Sequence, residues 1–126
     1  MRHISYVVYF GMSWSIETLN EAVDRELEAL PVDLRARFVR VTQLIEDLGL
    51  PSVRKPHVGH VKEFIWEIRV RSKTGIARAL YVTMNPQRVV IVRAFVKKTE
   101  KIPVRELNVA TERATRLRER GKRISS

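Results

Sequence analysis

The sequence predicts an α+β domain with the element order β-α-α-β-β-β-α. Its four-stranded, mainly antiparallel sheet is expected to carry an N-terminal helical hairpin on one face and to be followed by a C-terminal helix. Apolar residues recur every three or four positions over 16–48, alternate every second position from 63, and return to helical spacing after Pro103. A chain of 126 residues without a linker-like segment is expected to form one domain, 1–126.

The first strand is predicted at Ile4–Phe10, which is β-branched and aromatic and is followed by a glycine. A helix is expected over about 16–30, where apolar side chains form one stripe and acidic side chains the other. Ser13 or Ser15 is a candidate cap for this helix, because a serine oxygen can accept hydrogen bonds from the free N–H groups of the first turn.

A second helix is expected over 34–48, with Asp33 as a candidate cap and Gly49 as a natural stop. Two amphipathic helices joined by so short a link form an antiparallel hairpin, which must bury its apolar side against another element. The following residues, 50–61, contain two prolines and a glycine and are predicted to form an ordered loop.

Strict alternation over Glu63–Arg71 predicts a strand with a mostly charged face and a core face that includes Trp66. Ser72–Gly75 is a turn signal, so 76–84 is expected to return as an antiparallel partner. After a second turn at Asn85–Gln87, the nearly continuous apolar run 88–96 predicts a central strand.

The C-terminal part of the chain is predicted to be one helix followed by a tail. Pro103 fits the first turn of the helix, because proline has no N–H group to leave unpaired there. Beyond the helix, residues 118–126 are basic and polar and are expected to form a frayed tail.

Charge is distributed unevenly along the chain. Residues 1–52 have a net charge of −3 and residues 53–126 a net charge of +13, which predicts a basic surface in the C-terminal half. The usual partner of such a surface is a polyanion, and the alternative is a basic surface that serves only solubility. The chain has no cysteine and no apolar run near the roughly 20 residues that span a membrane. We therefore expect a cytoplasmic protein without membrane association, disulfides or thiolate chemistry.

Candidate catalytic residues lie on three successive predicted strands. Glu67 and Arg69 are two residues apart and therefore point the same way, and Arg78 lies on the next strand. Lys97 and Lys98 end the third strand. Cations grouped around one carboxylate could hold a phosphodiester and neutralise charge developing on phosphorus, which is what RNA cleavage without a metal requires.

A structural alternative exists for each of these candidates. Glu67, Arg69 and Arg78 could be cross-strand ion pairs on a solvated sheet face, and the lysine pair could serve only solubility. His57 and His60 could be metal ligands, but no Cys or Asp is near them, so we expect contacts to RNA instead and no metal or cofactor. The residues expected to bind RNA are Arg71, Lys73, Arg93, Lys101, His57 and His60.

The strand parity of Tyr81 is opposite to that of Arg78. We expect Tyr81 to face away from the candidate site unless a bulge intervenes.

Two runs of the sequence resemble a known family. EFIWEIRVRSKTGIARALYV, followed after a turn by VVIVRAFVKKTEKIPVRELNVA, is similar to the phage Gp49-like, HigB-type branch of the RelE/ParE toxin superfamily. The shared pattern is an E-x-R strand, an arginine-bearing second strand, and F-x-K-K-T-x-K-x-P leading into a helix. The resemblance covers roughly residues 4–118 and is densest over 62–110.

The resemblance implies the toxin of a type II toxin–antitoxin pair, which cleaves mRNA in the ribosome and is neutralised by a helix-turn-helix, HigA-like antitoxin. Family roles fall on Glu67, Arg69, Arg78, Lys97 and Lys98. Arg93 stands where many relatives have histidine, which leaves the general acid open between the two lysines. The ParE branch, which poisons gyrase, implies an alternative: a non-enzymatic gyrase inhibitor or an RNA-binding module.

Overall fold

The computed structural model describes residues 13–53, 57–97 and 101–125, with side chains as far as residue 121. Within these ranges the chain forms five strands, three α-helices and a short 3-10 helix. In chain order they are β1 Ser15–Thr18, α1 Glu21–Glu28, α2 Val32–Leu48, the 3-10 helix Leu50–Ser52, β2 Val58–Lys62, β3 Ile65–Ser72, β4 Gly75–Met84, β5 Arg88–Lys97 and α3 Val104–Ser125.

The described strands form one sheet in the order β1-β5-β4-β3-β2. Strands β2, β3, β4 and β5 pair with one another in antiparallel orientation, and β1 pairs with β5 in parallel. The predicted α+β class and the meander of three strands are therefore confirmed, with β5 between two neighbours as its apolar sequence indicated. The expected four strands are wrong in number, and the predicted strand Ile4–Phe10 lies outside the described residues.

The segment around Ile16 is a strand, whereas the sequence predicted the start of a helix there. Ile16 is fully buried and pairs with Val89 on β5. The Glu17 carboxylate receives two hydrogen bonds from Arg88, at 2.8 and 2.7 Å, which also raise the pKa of Arg88. Helix α1 begins later, after Asn20, whose side chain accepts a hydrogen bond from the N–H of Val23. Neither Ser13 nor Ser15 is the cap of this helix, because tertiary pairing holds the segment extended.

Strand β2, Val58–Lys62, lies almost entirely within the predicted loop 50–61. Val58 pairs with Ile68 and reaches the core, and Gly59 pairs with Glu67. The prolines of this region precede the strand, so they do not interrupt its pairing with β3.

Apolar layers cover both faces of the sheet. Helices α1 and α2 pack on one face, as predicted for the helical hairpin, and α3 packs Ala110 and Ala114 against the other. Because both faces are covered, alternation on β3 does not separate core from solvent. Ile65, expected on the charged face, is 1% exposed, while Trp66, expected in the core, is 39% exposed.

A β-bulge separates Leu80 from Tyr81 in the pairing of β4 with β5. Leu80 pairs with Arg93 but Tyr81 pairs with Ile91, so Val92 has no opposite residue. Tyr81 lies in the core beside the helical hairpin, on the face away from Arg78, as its parity predicted. Burial raises the pKa of the Tyr81 hydroxyl.

Two helix ends differ from expectation. Helix α2 begins at Val32 after Pro31, and Asp33 is not its cap; the Asp33 carboxylate instead accepts a hydrogen bond from the Thr74 hydroxyl, at 2.7 Å. Helix α3 continues to Ser125, where a frayed tail was predicted from residue 118. None of the helices described is long and apolar enough to cross a membrane.

Candidate active site

Strand register brings four of the five predicted catalytic residues to one face of the sheet. Arg69 pairs with Arg78, and Glu67 is two residues before Arg69 on β3. Arg78 also pairs with Phe95, two residues before Lys97 on β5. Directly paired residues and residues two apart share a face, so all four side chains lie on the face that α3 partly covers. We call this the Glu67 face.

Glu67 and Arg78 form an enclosed ion pair at the centre of the Glu67 face. Nη1 of Arg78 lies 2.8 Å from Oε1 and 3.0 Å from Oε2 of Glu67. The two side chains are only 6% and 8% exposed. The cross-strand ion pair considered for these residues is therefore present, but it is buried rather than solvated.

Arg69 lies at the open side of this pair. Its Nη2 is 3.7 Å from Oε2 of Glu67, and its side chain is 36% exposed. The guanidinium lies over Gly59 of β2, where an added Cβ would be 3.5 Å from Nη2. Its Nε is buried and has no hydrogen-bond partner among the described residues. Because the side chain is partly exposed, an anion that reaches this face can contact Arg69.

Lys97 ends β5 on the Glu67 face and is 3% exposed. It pairs with Ile76, which places it diagonally across from Arg78. A lysine this strongly buried is rare, and it is not explained by the solubility role considered for the pair. Lys98, the fifth predicted catalytic residue, lies outside the described residues.

Arg93 lies on β5, and its side chain joins three elements. Its Nη1 is 2.8 Å from Glu26 of α1, and its Nε is 2.6 Å from Glu106 of α3. Glu26 also accepts hydrogen bonds from Arg113 and from the N–H of Ala94. Burial opposes the charge on Arg93, but the hydrogen bond and charges of Glu106 and Glu26 outweigh it, so its pKa is raised.

The other predicted RNA-binding residues are exposed but spread over several surfaces. Arg71 lies on the Glu67 face beyond Arg69, and Lys73 lies in the turn that follows it. Lys101 precedes α3. His57 precedes β2 and accepts a hydrogen bond from the N–H of Arg69 through its carbonyl, at 2.8 Å.

His60 lies on the opposite face of the sheet from Glu67, because it pairs with Trp66, which pairs with Tyr81. Its ring contacts Trp66 with centroids 4.9 Å apart, and its Nε2 is 2.7 Å from the carbonyl oxygen of Glu63. The two histidines are therefore not brought together as a pair. Among the described residues, no group of three or more His, Cys, Asp or Glu could hold a metal ion.

Sequence reasoning missed three residues that shape this site: Gly59, Glu26 and Glu106. Gly59 was placed in a loop, so nothing suggested that it leaves room for Arg69. Glu26 falls on the acidic stripe of a predicted helix, and the spacing of Glu26 and Glu106 carries no signal of a shared arginine. Only the packing of α1 and α3 against β5 brings them to Arg93.

The fold and site define a small basic α+β protein in which cations surround one enclosed carboxylate. The sequence matches the family described as Phage derived protein Gp49-like (DUF891) over residues 25–115. The chain belongs to this family, which is the family of HigB-type toxins within the RelE/ParE superfamily. The match runs from α1 into α3 and includes Glu67, Arg69, Arg78 and Lys97. Membership implies an antitoxin as partner. No curated protein matches the chain.

Proposed function

We propose that this toxin is a ribosome-dependent endoribonuclease that cleaves mRNA by attack of a ribose 2′-hydroxyl, without a metal ion. The observation that carries the proposal is the enclosed Glu67–Arg78 pair, flanked by Arg69 and Lys97 on the same sheet face. This arrangement places one carboxylate among three cations, which suits a reaction that moves protons at a charged phosphodiester.

In the proposed reaction Glu67 takes the proton of the 2′-hydroxyl as the 2′-oxygen bonds to phosphorus. The bond from phosphorus to the 5′-oxygen breaks, and a lysine, Lys97 or Lys98, protonates that leaving oxygen. Arg69 and Arg78 hold the non-bridging oxygens and stabilise the charge that develops on them. The products are a cyclic phosphate and a free 5′-hydroxyl.

Access to Glu67 is from the side of Arg69, whose side chain is the most exposed of the described catalytic candidates. Arg71, Lys73 and Lys101 are exposed and suited to phosphate contacts that position the RNA. His57 lies close to the same edge, whereas His60 would contact RNA only from the opposite face. Arg93 is left out of the proposed RNA contacts, because two carboxylates already neutralise it.

The test is mRNA cleavage on ribosomes by Glu67→Gln and Arg69→Ala proteins. Each is expected to cut about 10²- to 10³-fold more slowly, the usual cost of removing one group that stabilises the transition state. Arg25→Ala is the matched control, because Arg25 is an exposed arginine of α1 whose only described ion pair is with Glu21. Folded variants that cut at the wild-type rate would overturn the assignment.

A second candidate is a non-enzymatic toxin, either a ParE-like gyrase inhibitor or an RNA-binding module. The burial of Glu67, Arg78 and Lys97, at 4%, 7% and 3% exposure, favours it, because little of these side chains is open to a substrate. Mapping of mRNA ends after induction separates the two. Discrete cuts within codons support the nuclease, and intact mRNA with DNA damage supports the gyrase inhibitor.

The proposed partner is a helix-turn-helix antitoxin. Its gene is expected beside that of the toxin, and co-expression of the two is expected to restore growth. A neighbouring open reading frame of another kind, with no effect on growth arrest, would contradict this assignment.

A further inference from the structure

A second basic surface lies where the sheet edge is uncovered. Strand β2 begins at Val58, opposite Ile68, so the last residues of β3 have no partner strand on that side among the described residues. A groove of about 510 Å³ opens there between β3 and α2. It is lined by Arg37, Arg40, Val41, Leu44, His57, Arg69, Val70 and Arg71.

The arginines of this groove come from both sides of the sheet. Arg37 and Arg40 are one turn apart on α2, which packs on the face opposite Glu67. Arg69 and Arg71 belong to the Glu67 face. The groove therefore bends around the sheet edge and shares Arg69 with the candidate active site.

Three of the four arginines that line the groove differ from many arginines of this protein, whereas the fourth, Arg69, lies 3.7 Å from Glu67. Arg25, Arg88, Arg93, Arg113 and Arg116 all form ion pairs with glutamates. Arg37, Arg40 and Arg71 form none with the described residues, and none of the described residues that line the groove carries a carboxylate. Three unpaired, exposed guanidinium groups repel one another, so an anion would be favoured among them.

The chemistry of the groove favours phosphodiesters. Guanidinium groups bind phosphate oxygens with paired hydrogen bonds, and successive groups along a bent groove suit a flexible polyanion better than a single small ion. A single-stranded chain can turn around a sheet edge, whereas a duplex is too stiff to follow so short a bend.

We propose that this groove binds the backbone of single-stranded RNA next to the segment that reaches Glu67, with Arg37 and Arg40 as its outer phosphate contacts. The identity of the ligand as RNA rests on the proposed function. The site itself extends the RNA path from the Glu67 face around the sheet edge to α2.

The experiment measures binding of a fluorescent, single-stranded 2′-O-methyl RNA of twelve nucleotides to the full chain by anisotropy, at several salt concentrations. This RNA cannot be cleaved, because its 2′-oxygen has no proton to lose. The test variant is Arg37→Ala with Arg40→Ala. The control is Arg25→Ala with Arg116→Ala, which removes the same charge from two exposed helix positions elsewhere.

Two lost phosphate contacts should reduce the slope of log K against log salt by about 1.4, and weaken binding about 25-fold at 0.1 M salt. The control should keep the wild-type slope. A wild-type slope in the test variant overturns the proposal. So does a test variant that binds RNA normally but no longer captures the co-expressed antitoxin, because the groove would then be a protein-docking surface.

The outcome is separable from that of the proposed function. A groove-dependent slope in a protein that leaves ribosomal mRNA intact supports the RNA site and overturns the nuclease assignment. If cleavage depends on Glu67 but the α2 variant leaves the salt slope unchanged, the nuclease assignment is supported and the RNA site in the groove is overturned.

Discussion

The Arg78 guanidinium and the Glu67 carboxylate lie on neighbouring strands with Nη1 2.8 Å from Oε1, and both side chains are less than 10% exposed. Burying two charges costs solvation energy that the attraction between them only partly returns. The sheet tolerates this pair at a position where two apolar residues would pack. Such an arrangement is unexpected from stability alone and is consistent with the proposed role in catalysis.

Removing one partner of this pair should lower the free energy of unfolding more than removing both. Arg78→Met is expected to lower the free energy of unfolding by about 3–5 kcal/mol, because Glu67 is left charged and buried. Adding Glu67→Leu to this variant should recover most of the lost free energy of unfolding. Urea denaturation of both single variants and the double variant measures the coupling. Additive losses would show that the two side chains do not stabilise each other.

Exchange of Arg93 for histidine should make the free energy of unfolding depend on pH. In Arg93→His, Glu26 and Glu106 would favour the imidazolium and raise its folded pKa above the ordinary value of about 6.5. The stabilisation is then fully present below about pH 6.5 and lost as pH rises through the raised folded value. Urea unfolding at pH 5.5 and pH 9 tests this.

Wild-type protein is the control for this variant, because arginine keeps its charge over the whole range. At pH 9 the variant is expected to be about 2 kcal/mol less stable than the wild type, since two partly buried carboxylates lose a partner. Equal losses at both pH values would show that the network does not depend on charge.

The space above Gly59 should control the position of Arg69. Gly59→Leu would place a side chain where the Arg69 guanidinium lies, and is expected to slow mRNA cleavage as strongly as Arg69→Ala does. Gly59→Ala is the matched control, since its Cβ would make only an ordinary contact at 3.5 Å. Both variants should remain folded, because glycine is unfavourable in a strand. Wild-type activity of Gly59→Leu would count against the positioning of Arg69 by this glycine.

Asp33 should stabilise the fold at neutral pH and lose this contribution in acid. Hydrogen bonds from Ser72 and Thr74 lower the pKa of the Asp33 carboxyl below its ordinary value. The contribution is therefore present above the unfolded value of about 3.9 and lost as pH falls through the lowered folded value. The difference in urea midpoint between wild type and Asp33→Ala should be constant from pH 7 to 5 and shrink below pH 4. A difference independent of pH would contradict the charged hydrogen bonds.

Much of the β-meander could be predicted from the sequence because its signals are local. The turns at Ser72–Gly75 and Asn85–Gln87 fix the pairing of three strands, and side-chain parity then places Glu67, Arg69 and Arg78 together. Errors arose where a distant segment decides the local structure. Ile16 is extended because β5 offers it a partner. Alternation on β3 gives the wrong burial for Ile65 and Trp66, because apolar layers lie on both faces of the sheet.

Local signals suffice to predict the α+β class, the helical hairpin, the charge asymmetry and the grouping of Glu67, Arg69 and Arg78, since periodicity and turn chemistry act over a few residues. Tertiary contacts are needed to define the parallel pairing of β1, the pairing of β2 with β3, the burial of the Glu67–Arg78 pair and the ion pairs of Arg93 with Glu26 and Glu106. These features join residues far apart in the chain. Their free energy depends on desolvation and on distances between charges, which only the packed chain defines.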